Sequence, residues 1–139
     1  MTKFSPSIPL SILSVAWVAA ASTSAFANSN APPSVVVFDQ PIAGKSVDVA
    51  YVMLPTNGYV AVYSTDATGK PIREAIGTAQ LKVGDHRNVK ITLNDQPKSG
   101  QKLWISLYSD TDGKAGFDPK ADLAIWQASL PSENAFLVR

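Results

Sequence analysis

The chain contains no cysteine and a single histidine among its 139 residues. The absence of cysteine excludes disulfides, zinc thiolate sites and thiol nucleophiles together. A blue-copper site is excluded as well, because it needs two imidazoles and a thiolate. The one histidine, His86, lies in a Gly-Asp-His-Arg stretch just before a predicted strand. We interpret it as a turn residue, because a catalytic relay needs partners that this chain lacks.

Acid–base candidates are also few. Glu74 and Glu133 are the only glutamates, and their separation suggests no pair for glycoside hydrolysis. No glycine-rich loop opens a helix, so the sequence offers no phosphate cradle. We therefore predict that the protein is not an enzyme and has no cofactor, with calcium as the one cofactor left open. A hydrolase with unrecognised residues is the remaining alternative.

Net charge is close to zero, with 12 Lys and Arg against 11 Asp and Glu. No basic stripe of the kind that neutralises phosphates is visible. We therefore expect no nucleic acid partner.

The first 27 residues have the pattern of an export signal. Lys3 precedes the apolar run Ile8–Ala21, and Ala25-Phe26-Ala27 supplies the small-x-small site that a signal peptidase recognises. We predict cleavage near Ala27 and a periplasmic or secreted mature protein of about 110 residues, which is one domain.

A membrane anchor is not expected. The apolar run is shorter than the roughly 20 residues of a spanning helix, and no second run of that length follows. A lipid anchor of the bacterial type would need a cysteine at the cleavage site. We expect no membrane span in the mature chain.

Short apolar runs separated by Gly, Pro, Asn and Asp clusters fill the mature chain, and no window has a sustained helical period. The predicted strands are Val35–Phe38, Ser46–Leu54, Gly58–Ser64, Pro71–Ala79, Asn88–Leu93, Lys102–Tyr108 and Leu123–Leu130. We assign residues 28–34 to a flexible leader, 35–130 to the domain and 131–139 to a C-terminal tail that adds an edge strand or frays.

The fold class follows from this pattern. Val89, Ile91 and Leu93 alternate with polar residues, as in a strand with one buried face. The turns at 55–58 and 66–69 carry Asn-Gly and Asp-x-x-Gly chemistry, so sequence neighbours are predicted to pair as antiparallel hairpins. We predict an all-β, two-sheet immunoglobulin-like sandwich of about seven antiparallel strands, with a five-stranded small barrel as the alternative.

An acidic loop between the last two predicted strands is the first candidate site. Asp110, Asp112, Asp118 and Asp122 fall within thirteen residues, and carboxylates with turn glycines can wrap a calcium ion. The loop is a poor EF-hand, because Lys114 occupies a ligand position and no glutamate closes it. The alternative, which we favour, is a hairpin connection in which Asp118-Pro119 opens one helical turn and Phe117 pins the loop to the core.

Aromatic residues form the second candidate site. If Leu103, Ile105 and Leu107 point inward, Trp104 and Tyr108 stand on the outer face of their strand. Trp126 is predicted on the same face of the next strand, and Tyr59 or Tyr63 could join it. Such a platform could stack on a glycan or receive a protein. The alternative, which we favour, is that this face is buried, since large aromatics are usually core.

Several short motifs occur in an order that resembles a family of uncharacterised secreted domains of archaeal and bacterial surface or exported proteins. They are Val36–Gln40, Val47–Pro55, Gly58–Tyr63, Gly84–His86 before Val89–Leu93, and the segment from Asp110 to Asp118. The resemblance covers residues 35–130 and implies an immunoglobulin-like β-sandwich outside the cell. It implies no activity and no catalytic residue.

These observations predict an exported, non-enzymatic binding or structural module of the cell envelope. Its partner would be a protein or a glycan, and its working surface the aromatic face or the acidic loop. The alternative is a calcium-stabilised accessory module that uses the Asp-rich loop 110–122.

Overall fold

The computed structural model describes residues 31–127 and 129–139, which form β-strands and no helix. The strands are β1 (Ser34–Val36), β2 (Ser46–Leu54), β3 (Gly58–Thr65), β4 (Pro71–Leu81), β5 (Gly84–Thr92), β6 (Lys102–Ser109), β7 (Leu123–Ala124), β8 (Trp126–Gln127), β9 (Leu130–Pro131) and β10 (Glu133–Leu137). The predicted signal peptide, residues 1–27, lies outside the described residues. Within the described ranges, no helix could span a membrane.

Two antiparallel sheets make up the fold, as predicted. The first has the strand order β1-β2-β5, and the second has the order β10-β6-β3-β4, with β7 pairing to β6 as well. β8 and β9 pair only with each other. The sequence-based prediction of an all-β two-sheet sandwich is confirmed.

The core lies between the sheets and follows from the alternation of apolar residues. The fully buried side chains include Val47, Val49, Val52 and Leu54 of β2, Val60 and Val62 of β3, Ile91 of β5, and Leu103, Ile105 and Leu107 of β6. Each such side chain contributes about 1.5–3 kcal/mol when it leaves water. Leu103, Ile105 and Leu107 of β6 point into the core, so the intervening residues of β6 face outward. The favoured alternative, in which the aromatic face of β6 is the core face, therefore does not hold for this strand.

The turn at Asn57-Gly58 does not make the predicted hairpin. β2 belongs to the first sheet and β3 to the second, so the chain crosses the sandwich here. The Asn57 side-chain carbonyl accepts a hydrogen bond from the Val83 amide (2.9 Å), and the Asn57 backbone carbonyl accepts one from the Asp110 amide (2.9 Å). A Cβ on Gly58 would collide with the Tyr108 carbonyl oxygen. Glycine is therefore needed for close approach of two strands rather than for a hairpin.

The turn at 66–69 does make the predicted hairpin, between β3 and β4. The Asp66 carboxylate accepts bonds from the Thr68 amide (2.8 Å) and the Lys70 amide (3.1 Å), and Gly69 has a φ of +83°. The Thr68 hydroxyl also donates to this carboxylate, and it is the largest cause that holds the pKa of Asp66 below its usual range. The two amide bonds lower this pKa further.

β5 begins earlier than predicted, at Gly84 instead of Asn88. His86 is therefore a strand residue and not a turn residue. Its Nε2 lies 2.7 Å from the Lys82 carbonyl oxygen, in the short connection by which the chain passes from β4 of the second sheet to β5 of the first.

The predicted strand 123–130 is wrong as a single strand. The chain pairs with β6 through β7, leaves at Ile125, forms the β8–β9 hairpin and returns at Ser132. It then pairs with β6 again as β10, in register from Glu133 to Leu137. Residues 131–139 therefore supply an edge strand of the second sheet, which is one of the two outcomes expected for this segment.

The C-terminal strand closes the sandwich. Phe136 and Val138 are buried in the core at 2% and 3% exposure. The Asp39 carboxylate accepts a hydrogen bond from the Leu137 amide (2.9 Å) and forms an ion pair with Arg139 (3.3 Å). Both lower the pKa of Asp39, the Leu137 amide most.

Candidate functional site

The acidic loop, residues 110–122, joins β6 to β7 and is folded by its own carboxylates. Asp110 accepts a bond from the Gly113 amide (3.0 Å), and Asp112 from the Lys114 amide (2.8 Å). Asp118 accepts one from the Lys120 amide (2.9 Å) and opens a single hydrogen-bonded turn that ends at Asp122. The turn chemistry predicted for this loop is present.

Three of the four predicted calcium ligands come together. Carboxylate oxygens of Asp110, Asp112 and Asp122 lie within 4.8 Å of one another. Asp122 is only 3% exposed and accepts bonds from the Asp118 amide (2.8 Å) and the Thr111 amide (3.3 Å). Asp118 is not a member of this group, since its carboxylate caps the turn. Carboxylate oxygens at this spacing are the donors that calcium uses.

Tyr59 connects this carboxylate cluster to the second sheet. Its hydroxyl donates to the Lys114 carbonyl (3.0 Å), and its side chain is 1% exposed although it lies on the outer face of β3. Burial raises the pKa of Tyr59, and the negative charges of Asp110, Asp122 and Asp112 raise it further. The acidic loop therefore covers one end of the outer face of this sheet.

Phe117 holds the loop in place. Its ring centroid lies 4.7 Å from that of Tyr108, in an edge-on arrangement, and 5.7 Å from that of Tyr59. From the sequence, Phe117 was expected to pin the loop to the core. It pins the loop to the outer aromatic face instead, so the two candidate sites are one continuous surface.

The outer aromatic face consists of paired residues on β3 and β6. Tyr59 lies opposite Tyr108, and Tyr63 lies opposite Trp104. The small residues Ala61 and Ser106 face each other between these pairs.

Trp104 and Tyr108 therefore share the predicted outer face, and both Tyr59 and Tyr63 join them. Trp126 does not: it belongs to β8, pairs with Pro131 and is 59% exposed. The predicted alternation fails after Ile125, where the chain leaves β6.

A groove opens on this face beside the acidic loop. We call it the outer groove, and its lining includes Tyr63, Ser106, Tyr108, Glu133, Arg73 and Lys120. Its volume is about 600 Å³. The hydroxyl oxygens of Tyr63 and Tyr108 lie 2.7 Å apart on its floor, and the Ser106 hydroxyl donates to Glu133 (3.3 Å). Burial and the bond to Tyr108 raise the pKa of Tyr63.

Four of these lining residues were not predicted from the sequence. Ser106 could have been found, because it alternates with Trp104 and Tyr108 on β6. Arg73, Lys120 and Glu133 come from three other segments, and only the fold brings them to one groove. No sequence spacing reports such a juxtaposition.

The fold and the site define a β-sandwich domain with an acidic loop folded over an aromatic outer face. The chain belongs to the family described as Domain of unknown function (DUF7282), whose model matches residues 33–128. Neither the search of curated proteins nor that of solved structures gives a significant match.

Proposed function

We propose that this domain is an exported, non-enzymatic binding module of the cell envelope, of the secreted immunoglobulin-like kind, and that the outer groove is its working surface. One observation carries the proposal: hydroxyl groups and a carboxylate line a groove of about 600 Å³ beside an ordered loop. Small-molecule sites have volumes of about 300–1,000 Å³ and a few placed polar groups among apolar walls.

Two features favour binding over catalysis at this groove. Glu133 is its single carboxylate, and Ser106 has that carboxylate rather than an imidazole as its partner. Activation of a serine hydroxyl for attack calls for a base held within hydrogen-bond reach and oriented by a third group. His86 lies in β5 of the other sheet and contacts the Lys82 carbonyl.

Export is tested by expressing the full chain, with a C-terminal tag, in a Gram-negative host. We expect the protein outside the cytoplasm, with an intact mass that corresponds to loss of residues 1–27. The matched control is Ala27→Arg, which should block cleavage because the peptidase requires a small residue there. Cytoplasmic protein with an unprocessed N-terminus would contradict export.

The working surface is tested by retention of the purified protein on isolated envelope fragments. Lys120→Glu reverses a charge on the rim of the outer groove and should abolish retention. Lys90→Glu makes the same change on β5 of the first sheet and should have no effect. Equal retention of the two variants would contradict a role for the groove.

A calcium-stabilised accessory module is the second candidate, and the convergence of Asp110, Asp112 and Asp122 favours it. Calcium would offset the mutual repulsion of three carboxylates and stiffen the loop that borders the groove. At a hundredfold excess over the dissociation constant, a ligand of the folded state adds about 2.7 kcal/mol, which is roughly 10 °C in Tm for a domain of this size.

The experiment compares thermal unfolding in EDTA with unfolding in millimolar calcium. We expect a rise in Tm that Asp110→Asn abolishes and that Asp95→Asn, in the exposed loop between β5 and β6, leaves intact. No rise in the unmodified protein would leave the loop as a structural turn.

A further inference from the structure

We propose that the outer groove binds a saccharide that carries a carboxylate, such as a uronic acid oligomer. This inference rests on the proposed binding function and adds the chemical class of the ligand. The hydroxyl groups on the floor of the groove, the charges on its rim and the apolar character of its walls support it.

The floor offers both a donor and an acceptor to a hydroxylated ligand. The Tyr63 and Tyr108 hydroxyls bond each other, which uses one of their two hydrogens and leaves the other free to be donated. The Glu133 carboxylate accepts from Ser106 with Oε2 and keeps its other lone pairs. A sugar carries vicinal hydroxyls that both donate and accept, whereas an apolar ligand would leave these groups unpaired.

The rim carries more positive than negative charge. Arg73 and Lys120 flank the groove, and Glu133 is its only acidic residue. Among residues 31–127 and 129–139, the one ion pair is Arg139 with Asp39, so neither cation of the rim is engaged in a salt bridge. Arginine binds a carboxylate through two parallel hydrogen bonds, which a neutral sugar cannot use.

The walls provide flat apolar surface. Pro71, Ile72 and Pro119 line the groove together with the Tyr108 ring, and Ile72 is 45% exposed. These groups can cover the hydrocarbon face of a pyranose ring, while the polar floor and rim take its substituents. A phosphate would find the cations but would have no use for the apolar walls.

The test uses protein purified from expression of the full chain and three probes: trigalacturonate, the corresponding neutral galactose trimer, and inorganic phosphate. Binding is measured by calorimetry, and the site is mapped from amide chemical shifts in NMR spectra. We expect saturable binding of trigalacturonate, at least tenfold weaker binding of the neutral trimer, and shifts at Ser106, Tyr108 and Glu133. Higher salt should weaken the binding.

Variants separate the two kinds of contact. Arg73→Gln should weaken trigalacturonate binding about tenfold or more, since hydrogen bonds to charged groups are the strong ones. Tyr108→Phe removes one floor hydroxyl and should weaken binding about two- to tenfold for the acidic and the neutral trimer alike. Lys90→Gln on the first sheet is the matched control and should bind as the unmodified protein does. Thermal unfolding verifies that each variant is folded.

Each outcome decides something different. Equal affinity for the acidic and neutral trimers, or groove shifts with the neutral trimer or phosphate alone, would overturn the acidic saccharide and leave the groove as a binding surface. Binding mapped to any other surface would overturn the proposed function as well. Absence of binding by all three probes would overturn the saccharide assignment, while the envelope-retention experiment would still decide the proposed function.

Discussion

The ring of Phe117 stands edge-on to the ring of Tyr108, with 4.7 Å between their centroids. This contact joins the acidic loop to the outer face of the second sheet, and Tyr108 also lines the outer groove. Phe117 is half-buried, so it holds the loop with a moderate rather than a full core contribution.

Replacing Phe117 should loosen the loop without unfolding the sandwich. Phe117→Ala removes two aromatic contacts, each of about 0.5–1.5 kcal/mol beyond area burial, so we expect a loss of about 2 kcal/mol in the free energy of unfolding. Urea denaturation measures the loss. Phe38→Ala, at 66% exposure, is the control and should stay within about 0.5 kcal/mol. Equal effects of the two variants would show that Phe117 does not anchor the loop.

Asp122 should be the most sensitive residue of the carboxylate cluster in the absence of metal. Asp122→Ala leaves the partly buried amides of Thr111 and Asp118 without their acceptor. We therefore expect a loss of about 2–3 kcal/mol in the free energy of unfolding. Asp112→Ala removes one bond in a more exposed part of the loop and should cost about 1 kcal/mol. Chemical denaturation in EDTA compares them. A larger loss from Asp112→Ala would contradict the assigned roles.

Stability should fall in alkali because two tyrosines are buried. Burial raises the pKa of Tyr59 and of Tyr63 above the value near 10 that they have in the unfolded chain. Their contribution is therefore complete below about pH 10 and is lost as pH rises further, because only the unfolded chain then releases these protons. Urea denaturation at pH 8 and 10.5 measures the loss, and Tyr59→Phe with Tyr63→Phe should reduce it. An unchanged pH dependence in that double variant would contradict the prediction.

The C-terminal strand should be essential to the fold. Phe136 is 2% exposed in the core, so Phe136→Ala should cost about 3–5 kcal/mol. Leu137→Ala, on the same strand with 46% exposure, should cost less than about 1.5 kcal/mol. Thermal unfolding compares the two variants. A stable Phe136→Ala protein would show that residues 131–139 are dispensable after all.

Alternation of apolar residues predicted most of the fold correctly. β2 matches its predicted bounds, and β3, β4 and β6 end one or two residues later than expected. These strands have one face in the core, so their sequence records the sheet directly. β5 is longer because Gly84 to Arg87 pair with β2 through the backbone, which leaves no side-chain pattern.

Connections and partners were harder to predict from the sequence. Asn57-Gly58 has hairpin chemistry, yet its glycine serves the close passage of Gly58 beside Tyr108. Tyr59 lies on the outer face of β3 and is nevertheless buried, because the acidic loop covers it from outside. The periodicity of the strand does not predict this cover. Trp126 was predicted on the wrong surface, since alternation continues in the sequence past the point where hydrogen bonding to β6 is interrupted.

That interruption has a consequence for how the domain can vary. The Ser132 amide donates to the Ile125 carbonyl (2.8 Å), so the strand ends on either side of the β8–β9 hairpin meet directly. The hairpin exposes Trp126 and Leu130. The backbone hydrogen bond between Ser132 and Ile125 closes its base. Relatives could lengthen, shorten or rewrite this segment while the sandwich beneath it kept its register, which makes it a natural place for the surface to diversify.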